Sequence, residues 1–325
     1  MPKSFADAVL RTLCLAFGFM HVQQFAFAQN TTFHDLIAEN AVAQNTVAQN
    51  PQPQPCKSTV VGTVENFELP SKVFDYTRTV RVFLPPGYSD VANHERTYPV
   101  LYMFDGQNLF DACLAFDHVH EWQMDETVTR LMSEGKIEPL IVVGLDNARE
   151  KRAYEYLPWP DSIQFPGEPA PAGQRLPEFL MKEVMPLVEG KYRIAKGREN
   201  TAIGGSSYGG TAALYVGVAA PTIFGKVLAE SPVLTVGNGE LVRYTSFLMM
   251  APMKVYMAFG GKEWGMPGGA EAQVRAIQTV QANLKNALMS PAEVMYVYEA
   301  DGRHNEETWA KRLPQALTFL FPPGK

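Results

Sequence analysis

Apolar and polar positions alternate over residues 60–69 and again over 78–84, where Val80 and Val82 flank Arg81. That period of two predicts two early antiparallel strands with one solvated face, the second closed by Pro85-Pro86-Gly87. Downstream the pattern changes. Short apolar runs without alternation occupy 98–104, 140–144, 201–203, 226–229, 254–259 and 294–298. Such runs suit strands of a parallel sheet covered on both faces. Between them, 122–133, 176–188, 210–219 and 270–288 carry apolar residues three and four apart, which predicts helices. Strand and helix in turn give a doubly wound α/β sheet, and one such domain absorbs everything from residue 56 to 325.

The first 55 residues fit neither period. Lys3 and Arg11 precede a short apolar run, and Ala26-Phe27-Ala28 offers the small-x-small pattern that a signal peptidase cuts, so residues 1–28 read as a signal peptide removed before Gln29. The run is too short to span a bilayer, and no transmembrane segment is expected after cleavage. Residues 29–55, with Val42-Ala43-Gln44-Asn45 nearly repeated at 47–50 and prolines at 51, 53 and 55, read as a disordered Gln/Asn/Pro-rich linker. Export, to the periplasm or outside the cell, follows. It would let Cys56 and Cys113 pair. A net charge of −6 gives no cation excess to neutralise phosphates, which argues against nucleic acid as a partner.

The densest chemical signal is Gly204-Gly205-Ser206-Ser207-Tyr208-Gly209-Gly210. Gly205, Ser207 and Gly209 make a Gly-x-Ser-x-Gly frame between a predicted strand and a predicted helix, the setting in which a serine hydroxyl is held on a sharp turn. Ser206 fits no such frame. A serine nucleophile needs a base, and His304 is the only histidine after Ser207. It lies on the loop after the last predicted strand. The expected carboxylate is Glu263, after the strand at 254–259, with Asp301 and Glu230 as rivals. Backbone amides of Tyr208 and Gln107 are the candidate donors to an oxyanion, and Gly106 lets the backbone at that turn approach a ligand.

Tyr98-Pro99-Val100-Leu101-Tyr102 leading into Asp105-Gly106-Gln107-Asn108-Leu109-Phe110, then Ile141-Val142-Val143-Gly144, the elbow and Gly302-x-His304 together resemble the putative-esterase family. That family includes enterobactin-type siderophore esterases, feruloyl and acetyl-xylan esterases, S-formylglutathione hydrolases and mycolyltransferases. The resemblance runs over about residues 80–321. It implies an α/β-hydrolase fold, catalysis by Ser207 and His304 with Glu263 as acid, an oxyanion site at Gln107 and Tyr208, and no cofactor. With export, it implies a small-molecule or carbohydrate ester as substrate: a siderophore ester or a plant-carbohydrate acyl or feruloyl ester. An acyltransferase or a serine peptidase using the same triad are the alternatives. Neither substrate nor oligomeric state is fixed by the motifs.

Among the remaining residues, Arg152 is a candidate for holding an acidic substrate group, against a simple ion pair with Glu155. Trp159 and Trp264 are the tryptophans expected near the substrate, Trp122 and Trp309 being packing. His118-Val119-His120 has no complementary ligand motif and reads as a polar loop, so no metal is expected.

Overall fold

The structure, a computed structural model, describes residues 56–263, 265–266 and 268–324. The signal peptide, the linker and Trp264 therefore fall outside the described residues. Eight strands form one sheet: β1 Thr63–Pro70, β2 Thr77–Leu84, β3 Val100–Phe104, β4 Ile141–Leu145, β5 Thr201–Ser206, β6 Lys226–Glu230, β7 Lys254–Gly260 and β8 Glu293–Glu299. Their spatial order is β1-β2-β4-β3-β5-β6-β7-β8. β1 and β2 pair antiparallel, β2 joins β4 antiparallel, and every later pairing is parallel. The α/β class expected from the periodicity is the one observed.

Alternate residues along the parallel strands feed two separate cores, which is why those strands show no alternation in polarity. Val100, Tyr102 and Phe104 of β3 point to one side with Ile141, Val143, Ile203, Val227 and Val255. Leu101 and Met103 point to the other with Val142, Ala202, Leu228 and Tyr256. Helix α1, Met124–Ser133, covers the second face through Met124, Val128 and Leu131. The first face is covered by a helical stretch running from Leu176 to Lys191, by a helix at Tyr208–Ala219 and by one at Gly269–Lys285.

Three helices exceed the periodic signal. Arg152–Tyr156 (α2) and Glu240–Thr245 are too short to show a repeat. Glu306–Leu320 is long enough, but Pro314 stands inside it. Its buried side chains Trp309, Leu313, Ala316, Leu317 and Leu320 nevertheless close the second face. The expected single helix at 176–188 is three pieces, Leu176–Phe179 (α3), a π-helical Leu180–Val184, and Met185–Lys191 (α4). Pro186 explains the wide turn, because it has no N–H to donate and its ring displaces the preceding carbonyl. Both Cys56 and Cys113 are disulfide-bonded. No helix among the described residues is long and apolar enough to cross a membrane.

Candidate active site

Ser207 leaves the end of β5 with φ 57° and ψ −129°, and α5 (Tyr208–Ala219) starts at the next residue. A non-glycine residue in that region of φ/ψ space is strained and persists only where its surroundings force it. Here the cause is visible in its neighbours. A Cβ on Gly205 would lie 2.6 Å from the Gly209 carbonyl carbon, and one on Gly209 would lie 2.7 Å from Asp105 Oδ2. The Ser207 amide donates to the Glu230 carbonyl at 3.0 Å, pinning the turn to β6. The serine is half-buried, at the positive end of α5, where negative charge is favoured.

The turn after β3 comes up beside it. Asp105 takes the left-handed conformation (φ 59°, ψ 45°) and starts a short 3-10 turn, Gly106–Asn108. Gly106 packs on the backbone of β4, where a Cβ would be 2.5 Å from the Gly144 carbonyl carbon. Gln107 Oε1 accepts from the Asn147 amide at 3.1 Å, and Asn108 Nδ2 donates to Glu306 Oε1 at 3.0 Å. The amides of Gln107 and Tyr208 both stand in the first turn of a helical segment, where N–H groups have no acceptor inside the helix.

Arg152 neither pairs with Glu155 nor holds its fork open. Its Nε and Nη2 donate to Asp105 Oδ1 and Oδ2 at 2.7 and 2.8 Å, a bidentate pair, and Nη2 lies 3.4 Å from the Ser206 carbonyl. Glu155 instead pairs with Arg78, both of them buried. The reason is placement: Arg152 opens α2 directly above the buried Asp105 carboxylate, whereas Glu155 faces inward. The Asp105–Arg152 pair thus joins the β3 turn to the elbow.

Glu263 and His304 come together because two loops are pressed against each other. The Gly261 amide donates to the Glu299 carbonyl at 2.8 Å and the Lys262 amide to the Gly302 carbonyl at 2.9 Å. A Cβ on Gly260 would sit 2.3 Å from Gly302 O, so this approach requires glycine. Glu263 Oε2 lies 2.8 Å from His304 Nδ1, and the Glu263 side chain is fully buried. Its other oxygen, Oε1, accepts from Ser231 Oγ at 2.5 Å and from the Gly260 amide at 2.6 Å. Of the rivals, Asp301 is exposed and pairs with Lys262 at 2.7 Å. Glu230 is buried and takes Arg312 Nη2 at 2.7 Å; loss of solvent pushes its carboxyl up to about 7 although Arg312 opposes the change.

Two residues not expected at the site from the sequence belong to this cluster. Trp309, expected only to pack, stands edge-on to the His304 ring with centroids 5.1 Å apart and donates from Nε1 to Ser231 Oγ at 3.0 Å. Ser231 bridges Trp309 and Glu263. It follows β6, and nothing in its local sequence marks it. Trp159 is half-buried and packs edge-on to Tyr215 at 5.4 Å. It lines a cavity of about 290 Å³ together with Ala153, Tyr154, Leu157 and Phe165. His118 and His120 bond within their own loop, to the Cys113 carbonyl and to Asp117. Among the described residues, the side chains grouped closely enough to hold a metal are Glu121, Asp125 and Glu126, none of them at this site.

A serine on a strained elbow, with an imidazole aligned by a buried carboxylate at the same carboxyl edge of the sheet, defines a serine hydrolase of the α/β-hydrolase fold. The chain belongs to the family described as "Putative esterase", whose model matches residues 71–320. It is an enzyme of the serine esterase class. Its fold is similar to that of an IroE-like serine hydrolase from Shewanella oneidensis, with TM-score 0.59 and 21% identity over 80% of each chain. A ferulic acid esterase gives TM-score 0.55 and 23% identity, covering 80% of this chain and 98% of that one. The enterobactin esterase FES from Shigella flexneri gives 0.57 and 20%, covering 81% of this chain and 61% of the other.

Proposed function

We propose that the protein is an exported carboxylic-ester hydrolase working through an acyl-enzyme on Ser207. His304 Nε2, the ring nitrogen that Glu263 leaves open, takes the Ser207 proton as Oγ bonds to the ester carbonyl carbon. The tetrahedral oxyanion is met by the amides of Gln107 and Tyr208. His304 then returns the proton to the alcohol oxygen as the carbon–oxygen bond breaks. Water, deprotonated by the same imidazole, attacks the acyl-enzyme, and the proton passes back to Ser207 Oγ as the acid leaves. Glu263 holds the imidazole in the tautomer with hydrogen on Nδ1 and offsets the charge of the imidazolium. The observation that carries this reading is the Glu263–His304 contact at 2.8 Å across 41 residues of sequence, with Glu263 Oε1 saturated by two donors.

The substrate is an ester from outside the cytoplasm, either a siderophore ester or an acyl ester of plant carbohydrate. The first is the kind of substrate named for the enterobactin esterase and the second is in line with the ferulic acid esterase. Residues 1–28 act as the signal peptide, and 29–55 as a linker to the esterase domain at 56–325. The test is hydrolysis of p-nitrophenyl acetate and butyrate by the purified protein beside Ser207→Ala and His304→Ala. Each variant is expected to lose at least about a thousandfold in kcat. Ser207→Ala turning over at the wild-type rate would refute the reading. Amino-terminal sequencing of protein recovered outside the cytoplasm is expected to begin at Gln29.

A further inference from the structure

The turn that carries the Gln107 amide is three residues long and has little stiffness of its own. Its internal bonds run from the Asn108 amide to the Asp105 carbonyl at 2.9 Å and from the Leu109 amide to the Gly106 carbonyl at 3.3 Å. Hydrogen bonds of this 3-10 kind have poorer geometry than those of an α-helix. An oxyanion donor, by contrast, is useful only within about 2.7–3.1 Å of where the charge forms. Its placement must come from what the turn is fastened to. Gly106 and Gln107 are fastened to β4 and the segment after it, through the Gly144 backbone and the Asn147 amide. Asn108 makes the attachments on the other side.

Asn108 is buried and bonds through both polar atoms of its side chain. Its Oδ1 accepts from the Phe116 amide at 3.1 Å, and its backbone carbonyl accepts from the Trp122 amide at 2.9 Å. Those partners belong to the loop that follows the turn and go where it goes. Its Nδ2 reaches a different part of the chain, donating to Glu306 Oε1 at 3.0 Å across 198 residues of sequence. Glu306 opens the helix Glu306–Leu320, two residues after His304, and that helix is firmly held. Asn305 caps it by accepting from the Thr308 amide at 3.0 Å, Trp309 stands edge-on to the imidazole, and Arg312 donates to Glu230. One hydrogen bond therefore joins the residue after the oxyanion donor to the residue two past the base. Burial holds the Glu306 carboxyl above its ordinary range; Asp105 and Asp117 push the same way and His304 opposes them. A carboxyl oxygen accepts whether or not the group is ionised, so the bond to Asn108 does not depend on charge.

We infer that Asn108 and Glu306 are positioning residues that hold the Gln107 amide in fixed register with His304, so that oxyanion donor and base meet the same ester carbonyl. The inference rests on the Ser207 reading above and adds two residues to it, neither of which touches the substrate. With the bridge cut, the turn keeps its bonds to residues 116, 122 and 147, and the fold survives. What is lost is the tie between the amide and the element that carries the base. Substrate binding needs no oxyanion contact and is spared, whereas the tetrahedral state is not.

Kinetics of p-nitrophenyl butyrate hydrolysis by Asn108→Asp, Glu306→Ala and Glu306→Gln test this. Asn108→Asp keeps the acceptor for Phe116 and loses the donor to Glu306; Glu306→Gln keeps the acceptor for Asn108 and loses the charge. Asn108→Asp and Glu306→Ala should each lower kcat about tenfold or more with KM within about twofold, while Glu306→Gln stays within about threefold of wild type. A pair of inhibitors reads the oxyanion itself. Trifluoromethyl butyl ketone takes Ser207 Oγ on its carbonyl carbon as the Ser207 proton passes to His304, leaving an oxyanion, whereas methyl butyl ketone binds without that bond. In the two bridge-cutting variants, inhibition by the first should weaken about tenfold and inhibition by the second should not change. The positioning role is overturned by unchanged kcat in both of those variants, by a loss in Glu306→Gln equal to that in Glu306→Ala, or by equal weakening of the two ketones. It is overturned too if both variants fail to fold, because the contact is then structural. A wild type inert toward the ester, or an active Ser207→Ala, sinks the Ser207 reading instead.

Discussion

Single residues carry the proposed chemistry, and they differ in how far the sequence announced them. Ser207 and His304 stand in a frame and an order that few other positions could satisfy. Glu263 was one of three carboxylates, and only the pressed loops after β7 and β8 show why it, rather than Asp301, faces the imidazole. Ser231, Trp309 and the Asp105–Arg152 pair were hidden because each is defined by a partner distant in sequence. Two of them can be tested directly. Ser231→Ala removes one of the two donors on Glu263 Oε1. One lost hydrogen bond to a carboxylate is worth about 1.5–3 kcal/mol, so kcat should fall about tenfold or more with KM little changed. An unaltered kcat would show that Ser231 does not hold the carboxylate. Arg152→Ala strands the Asp105 carboxylate, whose side chain is only 4% exposed. Denaturant unfolding should show a loss of about 3–5 kcal/mol, and adding Asp105→Asn should restore part of it. Losses that simply add would mean that the pair is not coupled.

Among the elements, the periodic signal located all eight strands of the sheet, because each is either a clean alternation or an apolar run between breakers. It located helices less well. Glu306–Leu320 escaped because Pro314 interrupts a pattern that tertiary packing still completes. The first turn of α1 holds a second surprise. Glu121, just before α1, and Asp125 and Glu126 within its first turn bring their carboxylates together, and among the described residues none of the three pairs with a lysine or arginine. Burial pushes Glu121 up to about 7 and holds Asp125 well above the usual carboxylate range. These groups bind protons more tightly folded than unfolded. They therefore favour the native state below their unfolded values near 4, and that contribution is lost as pH rises toward 7 and beyond. Asp125→Asn should accordingly stabilise the protein more at pH 8 than at pH 5. A stability difference independent of pH, measured by urea unfolding at both values, would contradict the buried-acid account.

Strand order organises the molecule. Connectivity places β3 beside both β4 and β5, so the β3 turn, the elbow and the crossover after β4 converge at one point of the carboxyl edge. The alternation of strands and helices gave the α/β class, but the order of strands within the sheet depends on long-range pairing that no local pattern encodes. The same holds for the cavity. Its walls exist because Phe165 meets Tyr208 and Trp159 meets Tyr215 across the fold.

The mechanism stands on Ser207 as the nucleophile, activated by His304. Labelling with a fluorophosphonate, followed by peptide mapping, reads this whatever the natural substrate is. One adduct per chain is expected, on the peptide carrying Ser207, absent in Ser207→Ala and formed at least about a hundredfold more slowly in His304→Ala. An adduct on Ser206 or elsewhere, or labelling of Ser207 at an undiminished rate without the histidine, would contradict that mechanism.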